Sequence, residues 1–384
     1  MSVRTDLTFL AVRNLVHDRV RLLITLAGIT IAIMLIFMQG GMYLGYMRNA
    51  SGMIDRSAAD VWIVSKNSPN FDWSRPFPER YINKVRSTPG VMAAKTLIFA
   101  WAFLRRLDGG TDQVELIGFH PSTTDEGWGE PWGFISGGIS SVLGGDHIIV
   151  DESSRERLGA FNLGDHAEIM ETDVSIAGIT RGIRSLSTAP YVFVSYTTAQ
   201  KLVSYIGERN TVFILAKAEP GVSAAELKAR LSSRLSNVDV LTREEYSWRT
   251  RRYWTIETGM GFGFLMMTFL SLAVGLAIVG QTIYAATMEH LREYATLKAL
   301  GATDAEIRSI LWVQAGVNAV IGYLIGVGLV WWGAHLAERL GLSVVIPPYL
   351  YLVVLVLDVA MCLAASAVSV KKALSLDPAM VFRA

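Results

Sequence analysis

The 384-residue chain is 51% apolar and 18% charged, where ordinary soluble domains carry roughly 25% charged residues, and its mean hydropathy is +0.36. That balance excludes a wholly soluble protein. A net charge of +1, with no cluster of Lys and Arg among aromatics, sets nucleic acid aside as a partner, and the single cysteine, Cys362, leaves no disulfide framework.

Residues 1–21 contain "TDLTFLAVRNLVHDRVR", which places Leu7, Leu10, Ala11 and Leu15 at helical spacing with charges on the other face. This pattern suits a cytoplasmic amphipathic helix lying along a membrane surface; a polar helix that simply continues into the next segment fits it equally well. A bilayer core about 30 Å thick needs about 20 apolar residues in a helix. The first such stretch, 22–47, lies between Arg21 and Arg48. Its apolar run is longer than the core of a cleavable signal and no small-x-small site follows, so it is read as a retained anchor.

Residues 48–257 read as an ordinary mixed α/β domain. Strand-like runs are "ADVWIVS", "KTLIFAWAFLRRL", "DQVELIGFH", "HIIVDES", "HAEIMETDVSIAGI", "PYVFVSY" and "TVFILAKAE", with helical stretches at "PERYINKVRS" and at 223–235. The segment 121–145 is rich in Gly, Ser and Trp and is expected to be an irregular insertion or small subdomain. The stretch "SWRTRRYWTIETGM" holds no proline, so the second span, 258–288, is expected to continue outward as a helical stalk.

A charged loop, 289–308, precedes the third span at 309–337; a short turn at 338–348 precedes the fourth at 349–370, and 371–384 form a tail. Lys and Arg gather in the N-terminal arm, in the loop (Arg292, Lys298, Arg308) and in the tail (Lys371, Lys372, Arg383). Such short basic segments mark the cytoplasmic side, which puts both termini inside and the α/β domain outside.

The chain offers little chemistry. Phosphate binding by a glycine loop needs a following Gly-Lys-Ser/Thr, and the pairs Gly137-Gly138 and Gly144-Gly145 lack the lysine. No histidine spacing suits a metal, no Gly-x-Ser-x-Gly elbow is present, and His147 with Asp146 and Asp151 is the nearest approach to a ligand set. Neither a catalytic nor a cofactor site is therefore expected. Asp358 falls near the middle of the fourth span, where a charge costs several kcal/mol unless paired, and is either a packing partner or part of transport. Gly41 with Gly45, and Gly322 with Gly326, have the spacing that lets helices approach closely, within the chain or between copies. Trp331 and Trp332 suit an interfacial anchor.

The loop "MEHLREYATLKALGATDAEIRSIL" is short and helix-favouring, with Leu291, Ala295, Leu297 and Leu300 among charges and Gly301 as a stop. It fits a helix offering apolar knobs to a partner, or a bland connector. The segment resembles the "REIATLKALGA" signature of MacB-like and FtsX-like permeases, the type VII ABC transporters. "AVRNLVHDRVRLLITLAGITIAI" resembles that family's "RNL...R..LT..GI" entry and "LDPAMVFRA" its "DPAEALR" ending; within the family, "ADVWIVSKNSPNF" looks most like the DevC group.

That resemblance implies a four-span α-helical protein of the bacterial inner membrane with a mixed α/β periplasmic domain, working as a non-catalytic permease subunit. It implies a second permease copy and a cytoplasmic ABC ATPase that binds the ATP. Glu289, Arg292, Glu293, Leu297, Lys298, Leu300 and Gly301 would form the coupling helix seated in that ATPase, which would drive efflux with a periplasmic adaptor and an outer-membrane channel. Lipoprotein release and FtsX-like control of a cell-wall hydrolase are the alternatives it leaves open.

Overall fold

The computed structural model describes residues 19–106, 109–122, 127–187, 189–339 and 342–374. The amphipathic arm expected before residue 19 and the tail beyond 374 lie outside the described residues. In chain order the elements are α1 (Arg19–Asp55), β1 (Val61–Ser65), β2 (Phe77–Pro78), α2 (Tyr81–Arg86), β3 (Val91–Arg105), β4 (Thr111–Phe119) and β5 (Phe134–Gly137). Next come β6 (His147–Asp151), α3 (Arg155–Leu158), β7 (His166–Ile169), β8 (Thr172–Thr180), β9 (Tyr191–Ser195), α4 (Tyr196–Leu202), β10 (Asn210–Thr211) and β11 (Phe213–Ala218). The chain finishes with α5 (Ala224–Arg234), β12 (Val238–Thr242), α6 (Arg243–Arg252), α7 (Met260–Glu289), α8 (Leu291–Ala299), α9 (Asp304–Arg339) and α10 (Pro348–Leu374).

Of the described residues, those up to 45 and from 261 to 374 form one compact unit, and those between 46 and 260 form the other. Among the described residues four helices are long and apolar enough to cross a membrane: Leu22–Asp55, Met260–Glu289, Asp304–Ala337 and Pro348–Lys371. A helix satisfies its own backbone, which is what an apolar span of this length requires in lipid.

The α/β unit is built on a ten-stranded sheet in the order β12-β1-β11-β3-β4-β9-β6-β8-β5, with β7 bridging β3 and β8, and a separate two-stranded sheet pairs β10 with β2. The 15-residue strand β3 belongs to both halves: Val91–Leu97 pair with β11 and Ile98–Arg105 with β4. Strand β1 reads as an unbroken apolar run because both of its faces are covered. Trp62 is fully buried among the rings of Phe71, Phe213 and Tyr246, while Val61 and Ile63 pack with Leu227 and Leu231 of α5.

Two expectations are corrected here. The Gly/Trp-rich segment is not wholly irregular: β5 pairs antiparallel with β8 as an edge strand. Gly137 has φ +73, and a Cβ there would lie 2.2 Å from the Ala177 carbonyl oxygen, so only glycine permits the pairing. The helical stalk into the second span is also interrupted. After α6 the chain makes a π turn over Tyr253–Glu257, with the Thr258 amide donating to the Tyr253 carbonyl at 3.2 Å, and Gly259 at φ +74 ends any helical continuation.

Within the helical unit the paired glycines act inside the chain. A Cβ on Gly322 would meet Ile29 at 2.4 Å and one on Gly326 would meet Ile33 at 2.8 Å, so α9 seats two isoleucines of α1. Gly41 and Gly45 receive the segment before α10, where the Val345 amide donates to the Gly41 carbonyl at 2.9 Å. Gly45→Ala would put a Cβ 2.0 Å from the Ser343 carbonyl oxygen, whereas Gly52→Ala meets nothing within 4 Å. The first substitution is expected to cost about 1–3 kcal/mol and the second to add about 0.5–1 kcal/mol, read as opposite shifts of the thermal unfolding midpoint in detergent.

Candidate coupling helix and buried polar groups

The connection between α7 and α9 is closed at both ends by the sequence itself. Gly301 takes φ +99 and donates to the Lys298 carbonyl at 3.0 Å, while the Ala302 amide reaches the Leu297 carbonyl at 2.9 Å, a Schellman ending for α8. Two residues later Thr303 and Glu306 exchange side-chain-to-backbone bonds of 2.7 and 3.3 Å and start α9 with a capping box. So short a link fixes α8 relative to α9.

One face of α8 is buried against its neighbours. Tyr294 and Ala295 are buried, and Tyr294, Leu291 and Leu297 pack with Ile307, Ile310 and Leu311 of α9 and Val370 of α10. Burial also pushes the Tyr294 phenol up to about 12. Lys298 is held inward by an ion pair of 2.9 Å with Asp304. Glu289, Arg292, Glu293 and Gly301 are exposed, with Glu293 bonded to His290 at 3.0 Å. Leu300 is 81% exposed at the tip. Of the four apolar knobs read from the sequence, three face inward or half inward, and Leu300 alone stands fully out.

Asp358 is completely buried in α10. Its Oδ1 accepts a long bond of 3.7 Å from the Cys362 thiol one turn on, and its Oδ2 has no hydrogen-bond partner among the described residues. The partner that the structure supplies is thus a thiol on the same helix.

The α/β unit holds a pair of buried acids, which sequence reasoning missed. Trp101, Glu115 and Tyr191 stand in register across β3, β4 and β9, on one face of the sheet. Glu115 is fully buried, accepts from the Ser185 hydroxyl at 2.7 Å and from Ser187, and its Oε2 has no hydrogen-bond partner among the described residues. Burial, reinforced by the negative charge of Asp72, pushes its carboxyl up to about 8. Asp72, 5% exposed, accepts from Asn70 Nδ2 at 3.1 Å and from the Trp254 indole at 3.0 Å, and burial pushes it up to about 6. The signal available beforehand was one acid inside an otherwise apolar strand, "VELIGF".

The metal-like trio separates into other roles. His147 bonds the Ser175 hydroxyl at 2.6 Å, Asp146 pairs with Lys201, and buried Asp151 accepts from the Ser153 and Ile183 amides at 3.0 and 2.9 Å. Among the described residues no group of three or more His, Cys, Asp or Glu is placed to hold a metal. A cavity of about 540 Å³, lined by Met53, Arg56, Glu130, Trp132 and Phe134 among others, sets Arg56 over the Trp132 ring at 4.5 Å.

Two family models match the chain. The MacB-like periplasmic core domain covers residues 22–234, and the FtsX-like permease C-terminal region covers residues 265–378. An uncharacterized ABC transporter permease of Mycobacterium tuberculosis, Rv0072, is 26% identical over 375 residues, covering 97% of this chain and 99% of that protein. A second from the same organism, Rv2563, is 24% identical over 383 residues, with 97% and 99% covered. The crystal structure of the periplasmic region of MacB from Actinobacillus actinomycetemcomitans aligns with a TM-score of 0.37 at 12% identity, covering 49% of this chain and 91% of that one.

Asp358→Asn tests whether the carboxylate is needed for packing. The amide keeps the volume and removes a potential charge from a span, so stability within about 1 kcal/mol of the parent is expected in thermal unfolding. A loss of about 3 kcal/mol or more would show that the carboxylate makes a bond the bundle needs.

Proposed function

The chain belongs to the MacB/FtsX-type family of ABC transporter permeases, and from that premise we propose that it is the non-catalytic permease subunit of a transporter whose ATP is bound by a separate cytoplasmic ATPase, coupled through α8. The exposed leucine at the tip of a helix clamped from behind carries this reading. A fully solvated Leu at a loop is unremarkable alone. Here it projects from a short helix whose other face is locked onto α9 and α10, so a push on Leu300 passes to two membrane helices instead of deforming a loop. Arg292, Glu293 and Glu289 supply a polar rim around the apolar anchor, the layout of a small docking surface.

In this reading two copies pair, both termini lie in the cytoplasm, and the α/β unit lies outside the inner membrane. Motion of the ATPase is passed to that unit for efflux, with a periplasmic adaptor and an outer-membrane channel as further partners. The likeness to DevC-like permeases is part of the same proposal. Lys and Arg in the α7–α9 loop support the orientation.

Leu300→Asp is expected to leave the fold intact, within about 0.5 kcal/mol, because the side chain touches little. It should reduce copurification of the ATPase in detergent at least about tenfold, as loss of an interface anchor does. Leu297→Ala is the contrast: it opens a gap beside Ile307 and Ile310 and should lower the unfolding midpoint. Undiminished ATPase recovery with Leu300→Asp would overturn the docking role.

A further inference from the structure

Two buried carboxyls close enough to repel each other pose a definite electrostatic problem. Glu115 and Asp72 form no ion pair among the described residues. From β3 the pair is faced by Trp101, from β9 by Tyr191, and from the loop before β9 by Ser185 and Ser187. From α6 it is faced by Tyr246, whose hydroxyl is engaged with Ser74 at 3.0 Å, and by Arg249, which pairs with Asp239 at 2.7 Å. Half-buried Arg184 lies on the same serine loop. Serines and indoles stabilise a carboxylate by hydrogen bonding but cannot neutralise two of them in a dry site.

The geometry adds a consequence at the chain's joint. Trp73, next to Asp72, lies 6.0 Å from the Trp101 ring, which binds the Asp72 loop to the sheet face that carries Glu115. On its other side Asp72 holds the indole of Trp254, a residue of the π turn that precedes α7. We propose that Glu115 and Asp72 form a proton-binding site that holds at least one proton in the folded domain, and that this proton latches the π turn of Tyr253–Glu257. When both acids ionise, their repulsion is relieved by moving the Asp72 loop, and Trp254 moves with it. Acidity on the domain's side of the membrane thus sets how firmly the segment leading into the second span is held.

The sign follows from linkage. The closed state holds a proton that the opened state releases at ordinary carboxyl values, so closure is favoured at low pH and is lost as pH rises through about 8 for Glu115. Hydrogen exchange of the full-length protein in detergent, corrected for intrinsic rates, reads this directly. Protection of residues 253–259 is expected to fall about tenfold per pH unit from about pH 6 to about pH 8 and then level off. Glu115→Gln should flatten the profile. Asp72→Asn, which removes the repelling charge, should shift the fall to lower pH even if the first variant folds poorly. The infrared stretch of a protonated carboxyl should be present in the parent at pH 7 and vanish above about pH 9. A flat parental profile, a slope that survives Glu115→Gln, or an unmoved profile in Asp72→Asn would each overturn the site. Protection that rises on adding calcium chloride at fixed pH would do so too, by showing that a metal ion, not a proton, occupies the cluster.

Discussion

The seating of Ile29 and Ile33 of α1 against Gly322 and Gly326 of α9 is the contact on which the helical unit depends. Lipid tails are as apolar as leucine, so helices in a bilayer gain nothing from simply hiding hydrophobic surface. They gain from contact close enough for dispersion, and that requires missing side chains at the crossing. Gly275 repeats the device on α7, where a Cβ would meet Ala32 at 2.8 Å and Met361 at 2.6 Å, so α1 touches α7 as well as α9 through glycine. The remaining core of Phe37, Val279, Ala315, Ala319 and Val354 fills in around these approaches.

With that bundle fixed, the behaviour of α8 follows from leverage. Its inward residues join the ends of α9 and α10, and its link to α9 is a four-residue turn, Leu300 to Thr303, capped on both sides. A longer or uncapped link would absorb displacement as loop motion. Here a displacement applied at the tip is carried by helices whose hydrogen bonds are internal. The π turn before α7 differs: its longer-period hydrogen bonds and Gly259 make it the place where the backbone between α6 and the second span departs from regular helix.

What the sequence made legible divides along physical lines. Spans were readable because twenty uncharged residues are a local property, and β1, β3 and β9 because both-face burial writes itself as an apolar run. The set Leu291, Ala295, Leu297 and Leu300 was readable as a group, but not the rotation that hides three of them, because the partners lie on α9 and α10. β5 was hidden by glycines that look like loop signals and are instead the condition for close strand approach. Asp358 was visible as a charge in a span, whereas its thiol partner one turn away was not predicted.

Glu115 shows why such a site stays silent in one dimension. Its hydrogen-bond partners Ser185 and Ser187 lie 70 and 72 residues downstream, and Asp72 and Trp254 come from opposite ends of the domain sequence. No spacing rule links them, since each arrives through the register of a different strand or loop. A buried acid without a base is tolerated only where the surrounding fold holds it, because the desolvation cost exceeds what two serine hydroxyls return. Apolar side chains would fill the same face at less cost, as Phe99 and Phe193 do nearby. Keeping two acids at this strand face therefore sets stability against ionisation, and it does so beside Trp254, a residue of the π turn that precedes α7.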